Sequence, residues 1–192
     1  RGLYNPPSHT AELAYSEDIS LQAIQNVVLL LKLMYGKMHD GLMPNLEDLL
    51  KCFNNFDLVQ EMCEELEKDP ELAKEYELQL TYFKQYFYKG SEGRKDMQRY
   101  VHFASSTLDV LLRSAEARNI ICNRYNNMDF GAVLDEGKIV LISTRPYEIG
   151  GTADQGFGRF FLMLMMCSVE NNRELVKNRI PHFLYVDEFD HY

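Results

Sequence analysis

Apolar residues recur at helical spacing over residues 17–120, and this long periodic stretch most limits what the chain can fold into. Residues three or four positions apart lie on one face of an α-helix, as Ile24, Val27 and Leu31 do here, and each helix can bury such a stripe against its neighbours. Strand-like alternation is almost absent from this stretch. The pattern therefore predicts an all-α domain over residues 16–127.

Capping residues mark where the predicted helices begin and end. Ser16 is expected to cap the first helix and Gly36 to end it. Asn45 is expected to cap a second helix. Asp69 followed by Pro70 is typical of an N-cap with proline at the first helical position, and that helix is predicted to continue to residue 90.

Composition excludes several classes of protein. The 192 residues carry a net charge of −9, whereas a free-standing protein that wraps nucleic acid without sequence preference needs a basic face. The longest apolar run, residues 160–169, is half the length that spans a bilayer, and no signal peptide opens the chain. Four scattered cysteines without metal-binding spacing are expected to be small core residues in a reducing compartment: Cys52, Cys63, Cys122 and Cys167.

The sequence pattern changes near residue 128. Residues 138–143 form a short β-branched run that is apolar on both faces, as in an inner strand of a parallel sheet. A helical stretch follows from Ala153 to Asn171, in which Met163, Met165 and Met166 are expected to fill the core against the sheet. A second apolar run, residues 182–186, completes a predicted strand–helix–strand unit. We therefore expect an α/β fold with a large all-α insertion.

Two neighbouring acids follow the second apolar run, in the sequence FLYVDEF at residues 183–189. Ligands bind beside the carboxyl ends of strands in open α/β sheets, and Mg²⁺ prefers oxygen ligands. In a P-loop ATPase the first acid holds Mg²⁺ through its water shell and the second orients or deprotonates the attacking water. We assign these roles to Asp187 and Glu188; the alternative is a strand that simply ends in solvated acids. The P-loop motif G-x-x-x-x-G-K-[ST] does not occur in the sequence.

The order of these segments resembles the TraG/VirD4-like conjugative coupling proteins of the FtsK/HerA-type P-loop ATPases. The residues that carry the resemblance are RNII at 118–121, the DEGKIVLI run at 135–142, the apolar helix at 157–169 and the FLYVDEF strand at 183–189. Tyr4-Asn5-Pro6 is also similar to a segment that follows the second core strand of that family. Since the family's P-loop comes before this segment and the chain begins with Arg1, we expect a piece of a longer protein.

The resemblance implies a RecA-like core and a hexameric, DNA-stimulated ATPase that uses ATP and Mg²⁺. The resemblance divides the chain into three parts. Residues 1–15 would be an entry segment from the core, residues 16–127 the all-α domain, and residues 128–192 a partial nucleotide-binding core with a Walker B strand. Such motors move DNA or protein–DNA complexes into a type IV secretion channel at the cytoplasmic face of the membrane. They are anchored by segments outside this chain and bind a relaxase or other secretion-system proteins through the all-α domain. Without a P-loop, the chain alone is not expected to hydrolyse ATP.

Other interpretations stay open at this point. The chain can belong to a HerA-like translocase or a pilus-assembly ATPase, or it can be a non-catalytic helical adaptor module. Arg145, just past the first predicted strand, can contact a phosphate or a neighbouring subunit, or can be an ordinary solvated arginine. The acidic stretch at residues 57–77 is typical of a solvated helix face, although in a coupling protein it would repel DNA and favour a basic partner.

Overall fold

A computed structural model of the chain describes residues 11–125, 128–144, 154–171 and 181–187. The described chain divides into two compact units. The first, which we call the helical unit, extends to Asp109. The second, the C-terminal unit, begins at Val110.

The helical unit contains helices of very different length. Its elements are α1 (Ala11–Met38), α2 (Leu46–Asn54), α3 (Phe56–Leu66), α4 (Pro70–Glu75), α5 (Glu77–Tyr86) and most of α6 (Arg94–Leu112). Helix α1 packs against α2 and α3, and α3 also packs against α2 and α5. The prediction of an all-α segment in this part of the chain is confirmed.

The core of the helical unit forms where the apolar stripes of these helices meet. Val27 and Leu31 of α1 are fully or almost fully buried, as the helical spacing predicts. Aromatic rings fill the space between α3 and α5, where the ring centroids of Phe56 and Phe87 are 4.4 Å apart and those of Phe83 and Phe87 are 5.3 Å apart. The unit therefore has its own continuous apolar core.

The predicted caps of α2 and α4 are confirmed. The Asn45 side chain accepts hydrogen bonds from the backbone N–H groups of Glu47 and Asp48, at 3.0 and 3.2 Å. Asp69 caps α4 in the same way, with Pro70 as the first helical residue. Each of these side chains satisfies backbone donors that the first turn of a helix leaves without an intrahelical partner.

The predicted ends of the first helix are wrong, because α1 begins at Ala11 and runs through both Ser16 and Gly36. Next to Ser16, the Tyr15 ring packs edge-on against Tyr100 with 6.5 Å between the ring centroids, and a tertiary contact of this kind overrides a local capping preference. The chain turns only after Met38, where Asp40 and Gly41 have φ angles of 52° and 82°. The Gly41 N–H donates to the Gly36 carbonyl at 2.7 Å, a bond that satisfies one of the last carbonyls of the helix.

The predicted helix from Asp69 to residue 90 is divided in the structure. Tyr76 leaves the helical conformation, with φ −105° and ψ 27°, and separates α4 from α5. Helix α5 then ends at Tyr86, earlier than expected. In the connection to α6, a Cβ at Gly93 would clash with the Tyr86 ring, so only glycine fits that position.

The C-terminal unit contains the end of α6 and three further helices, α7 (Ala115–Ile121), α8 (Phe130–Asp135) and α9 (Asp154–Asn171). Helices α8 and α9 pack against each other through Phe130 and Phe161, whose ring centroids are 6.0 Å apart. The expected helix up to Asn171 is therefore confirmed. Met163 and Met166 are exposed, however, so the expectation that they fill a core is wrong.

The predicted α/β fold with a RecA-like parallel sheet is wrong. Among the residues that the structure describes there is no strand: residues 138–144 and 181–186 are irregular, and the described chain is all-α. The reason is physical, since a strand satisfies its backbone groups only by pairing with a neighbouring strand. No described segment offers these two stretches such a partner.

Within the described ranges, one helix is long and apolar enough to cross a membrane by length and composition alone. Residues 15–38 of α1 have a mean hydropathy of 1.3 over their best window, of which a third is buried within the protein. The most apolar face of this helix, including Ala23, Val27 and Leu30, forms the core of the helical unit. We therefore assign α1 to that core.

Candidate functional site

The charge of the protein is concentrated in residues 57–77, which we call the acidic segment. It carries nine carboxylates and two lysines, a net charge of −7 out of −9 for the whole chain. The structure places it on α3, α4, the turn between them and the start of α5. The apolar residues of the segment, among them Val59 and Leu66, are buried, so the carboxylates lie on the outward side of these helices.

Some of these carboxylates form ion pairs within the helical unit. Glu65 pairs with Lys68 in the next turn, and Glu67 pairs with Lys84 of α5. Both lysines are more than half exposed, so each pair contributes little to the free energy of folding.

Asp57 forms a more extensive network at the first turn of α3. Its carboxylate accepts from the Lys89 ammonium at 2.8 Å and from the Arg94 guanidinium at 2.9 Å. The Arg94 guanidinium also donates to the Phe87 carbonyl and lies 5.4 Å from the centre of the Phe56 ring. These contacts join the α5–α6 connection to the start of α3.

The cations around Asp57 also change its acidity. The hydrogen bond from Lys89, followed by that from Arg94, lowers the pKa of this carboxyl below its ordinary value. Desolvation acts in the opposite direction and is outweighed. Asp57 is therefore negatively charged at neutral pH and engaged within the fold.

Three other carboxylates of the acidic segment face solvent without a cation partner among the described residues. Glu61, Glu71 and Glu77 are exposed, and among the described residues none of them contacts a cation. Leu78, next to Glu77, is 83% exposed. A surface of this kind attracts basic side chains and repels the phosphates of nucleic acid, because unpaired charges of one sign set the local potential.

The described residues do not form a pocket for a nucleotide or a metal ion. No group of three or more His, Cys, Asp or Glu side chains in the described ranges could hold a metal. A small apolar cleft lies between α1, α3 and α5, lined by Asn26, Leu66 and Phe83 among others, and has room for about one water molecule. It is far too small for ATP.

Of the three residues predicted to act in nucleotide chemistry, the structure describes Asp187. This residue forms a turn directly after the irregular stretch 181–186, and it is exposed. Glu188 and Arg145 lie outside the described residues, as does the segment Tyr4-Asn5-Pro6. The grouping of these residues into one site therefore stays a prediction.

The apolar side chains before Asp187 are exposed to solvent. Phe183 is 79% exposed and Tyr185 is 89% exposed. The other predicted strand behaves in the same way, with Ile139 at 90% and Leu141 at 92%. The expectation that both runs are buried inner strands is therefore wrong for the structure of this chain.

The buried cysteines are poor nucleophiles. Burial raises the pKa of the Cys52 and Cys63 thiols to about 12, so almost no thiolate is present at neutral pH. Cys122 is also buried, whereas Cys167 of α9 is exposed. The expectation of core cysteines is thus confirmed for three of the four and wrong for Cys167.

The Asp57 network is the feature that sequence reasoning missed. Lys89 and Arg94 lie 32 and 37 positions after Asp57, so helical periodicity cannot pair them. The one signal in the sequence is that both cations flank the glycine-containing break after α5, where a tight connection needs an anchor.

Comparisons with known proteins identify no family for this chain. The chain matches no protein-family model, no curated protein and no solved structure.

Proposed function

We propose that this chain is part of an ATP-driven motor that moves DNA or a protein–DNA complex, of the kind found in TraG/VirD4-like coupling proteins, and that its helical unit docks a protein partner. The observation that carries the proposal is the stretch at residues 181–187. Several exposed apolar side chains there come directly before the exposed carboxylate of Asp187. Apolar side chains that remain in water next to an exposed carboxylate suit a segment that completes its packing elsewhere in a larger assembly.

Asp187 and Glu188 have different roles in this proposal: Asp187 is the metal ligand and Glu188 activates the attacking water. Asp187 is an exposed carboxylate, and a single hard oxygen ligand with room for water suits Mg²⁺. The bound MgATP supplies the transferable phosphate. Glu188 orients the attacking water and accepts its proton, and Arg145 contacts a phosphate or the adjoining subunit of a homo-hexamer.

The acidic segment decides which partner the helical unit favours. Its net charge of −7 disfavours contact with DNA phosphates, so DNA is held by the assembled ring rather than by this surface. A basic protein surface, such as that of a relaxase bound to DNA, complements Glu61, Glu71 and Glu77. The motor works at the cytoplasmic face of the membrane, through anchoring segments outside this chain.

The catalytic role is tested in the full-length protein that contains this chain. Glu188→Gln removes the base and keeps the shape, so we expect ATP turnover to fall by a factor of about 10²–10⁴ while MgATP binding persists. Glu170→Gln, a change at an exposed acid of α9, is the matched control and leaves turnover intact. Undiminished turnover in the Glu188 variant overturns the role given to this residue.

The docking role is tested by charge reversal. We expect Glu61→Lys with Glu77→Lys to weaken binding of a purified relaxase at least tenfold in fluorescence anisotropy, with the difference shrinking as NaCl is raised. Glu92→Lys with Glu170→Lys makes the same change in net charge outside the acidic segment and serves as the control. Equal losses in both double variants would show that only the overall charge matters.

The non-catalytic adaptor is a second candidate, and the completeness of the helical core favours it. The residues of its buried core cluster, from Ala23 to Val101, all belong to the helical unit itself. If the full-length protein binds the relaxase but neither binds nor hydrolyses ATP, the adaptor is correct and the motor is not. Transmembrane helices encoded upstream of a P-loop would distinguish a coupling protein from a HerA-like translocase or a pilus-assembly ATPase.

A further inference from the structure

We draw no further inference here: the strongest candidate, the exposed apolar side chains of the irregular stretches 138–144 and 181–186 in the C-terminal unit, carries nothing beyond the proposed function because nothing in the structure shows what covers them.

Discussion

The helical unit and the C-terminal unit use apolar residues of similar kinds with opposite results. In the helical unit, Phe56, Phe83 and Phe87 are buried against one another. In the C-terminal unit, Phe183 and Leu141 lie in water. A helix satisfies its backbone internally and needs only a neighbour for its stripe, whereas a strand-like segment needs a neighbour for its backbone as well. Within residues 11–109, the helices find neighbours for their apolar stripes. For the two strand-like stretches, no described segment supplies a neighbour for the backbone.

Thiol reactivity gives the largest expected difference between the units. A rise in pKa from 9.0 to about 12 lowers the thiolate fraction of Cys52 and Cys63 by about a thousandfold. In single-cysteine variants at pH 8, the exposed Cys167 should therefore react with a thiol reagent about a hundredfold faster or more than either buried residue of the helical unit. Addition of denaturant should bring the three rates together. Rapid labelling of Cys63 in the folded protein would contradict the packing of α3 described above.

A matched pair of phenylalanine truncations gives the next effect. Phe87→Ala removes a fully buried ring and leaves a cavity, so we expect the free energy of unfolding of the helical unit to fall by about 3–5 kcal/mol. Phe183→Ala removes a ring that is already in water, and we expect a change below about 0.5 kcal/mol. Urea denaturation followed by circular dichroism at 222 nm measures both. A large loss for Phe183→Ala would mean that its ring is covered in solution.

The smallest effect concerns Asp57 and depends on pH. Its pKa is lowered in the folded protein, so its contribution to stability is present above the ordinary value of 3.8 and is lost as pH falls through the lower, folded value. We expect Asp57→Asn to lower the urea midpoint at pH 7 and to match the wild type once the carboxyl is protonated at low pH.

Glu61→Gln is the control for this measurement, because Glu61 contacts no cation among the described residues. Its urea midpoint should follow that of the wild type at each pH. A difference between Asp57→Asn and the wild type that persists unchanged at low pH would show that the network acts through shape rather than charge.

Features that depend on near neighbours in the chain were predictable. Asn45 and Asp69 cap their helices through bonds to residues two and three positions away, so the sequence alone identifies them. Ser16 has the same chemistry, but it lies inside the 28-residue helix α1, where its carbonyl accepts a hydrogen bond from Ser20 Oγ at 2.8 Å.

The candidate site was less predictable than the helices. The acidity of residues 57–77 is visible in the sequence, but which carboxylates are paired is not. Asp57 is held by Lys89 and Arg94, whereas Glu61, one turn later, faces solvent. The roles of Asp187, Glu188 and Arg145 stay predictions, and they rest on the resemblance and on the chemistry of carboxylates.

By itself, the sequence determined the helical periodicity, the caps of α2 and α4 and the concentration of negative charge, because each depends on residues within a turn or two of one another. Only the tertiary structure decided that α1 runs through Gly36, that Asp57 joins α3 to the α5–α6 connection, and that two strand-like runs form no sheet. Those outcomes depend on which surfaces meet across distant parts of the chain. Spacing along a sequence sets which side chains share a helix face, whereas burial and pairing depend on what lies opposite.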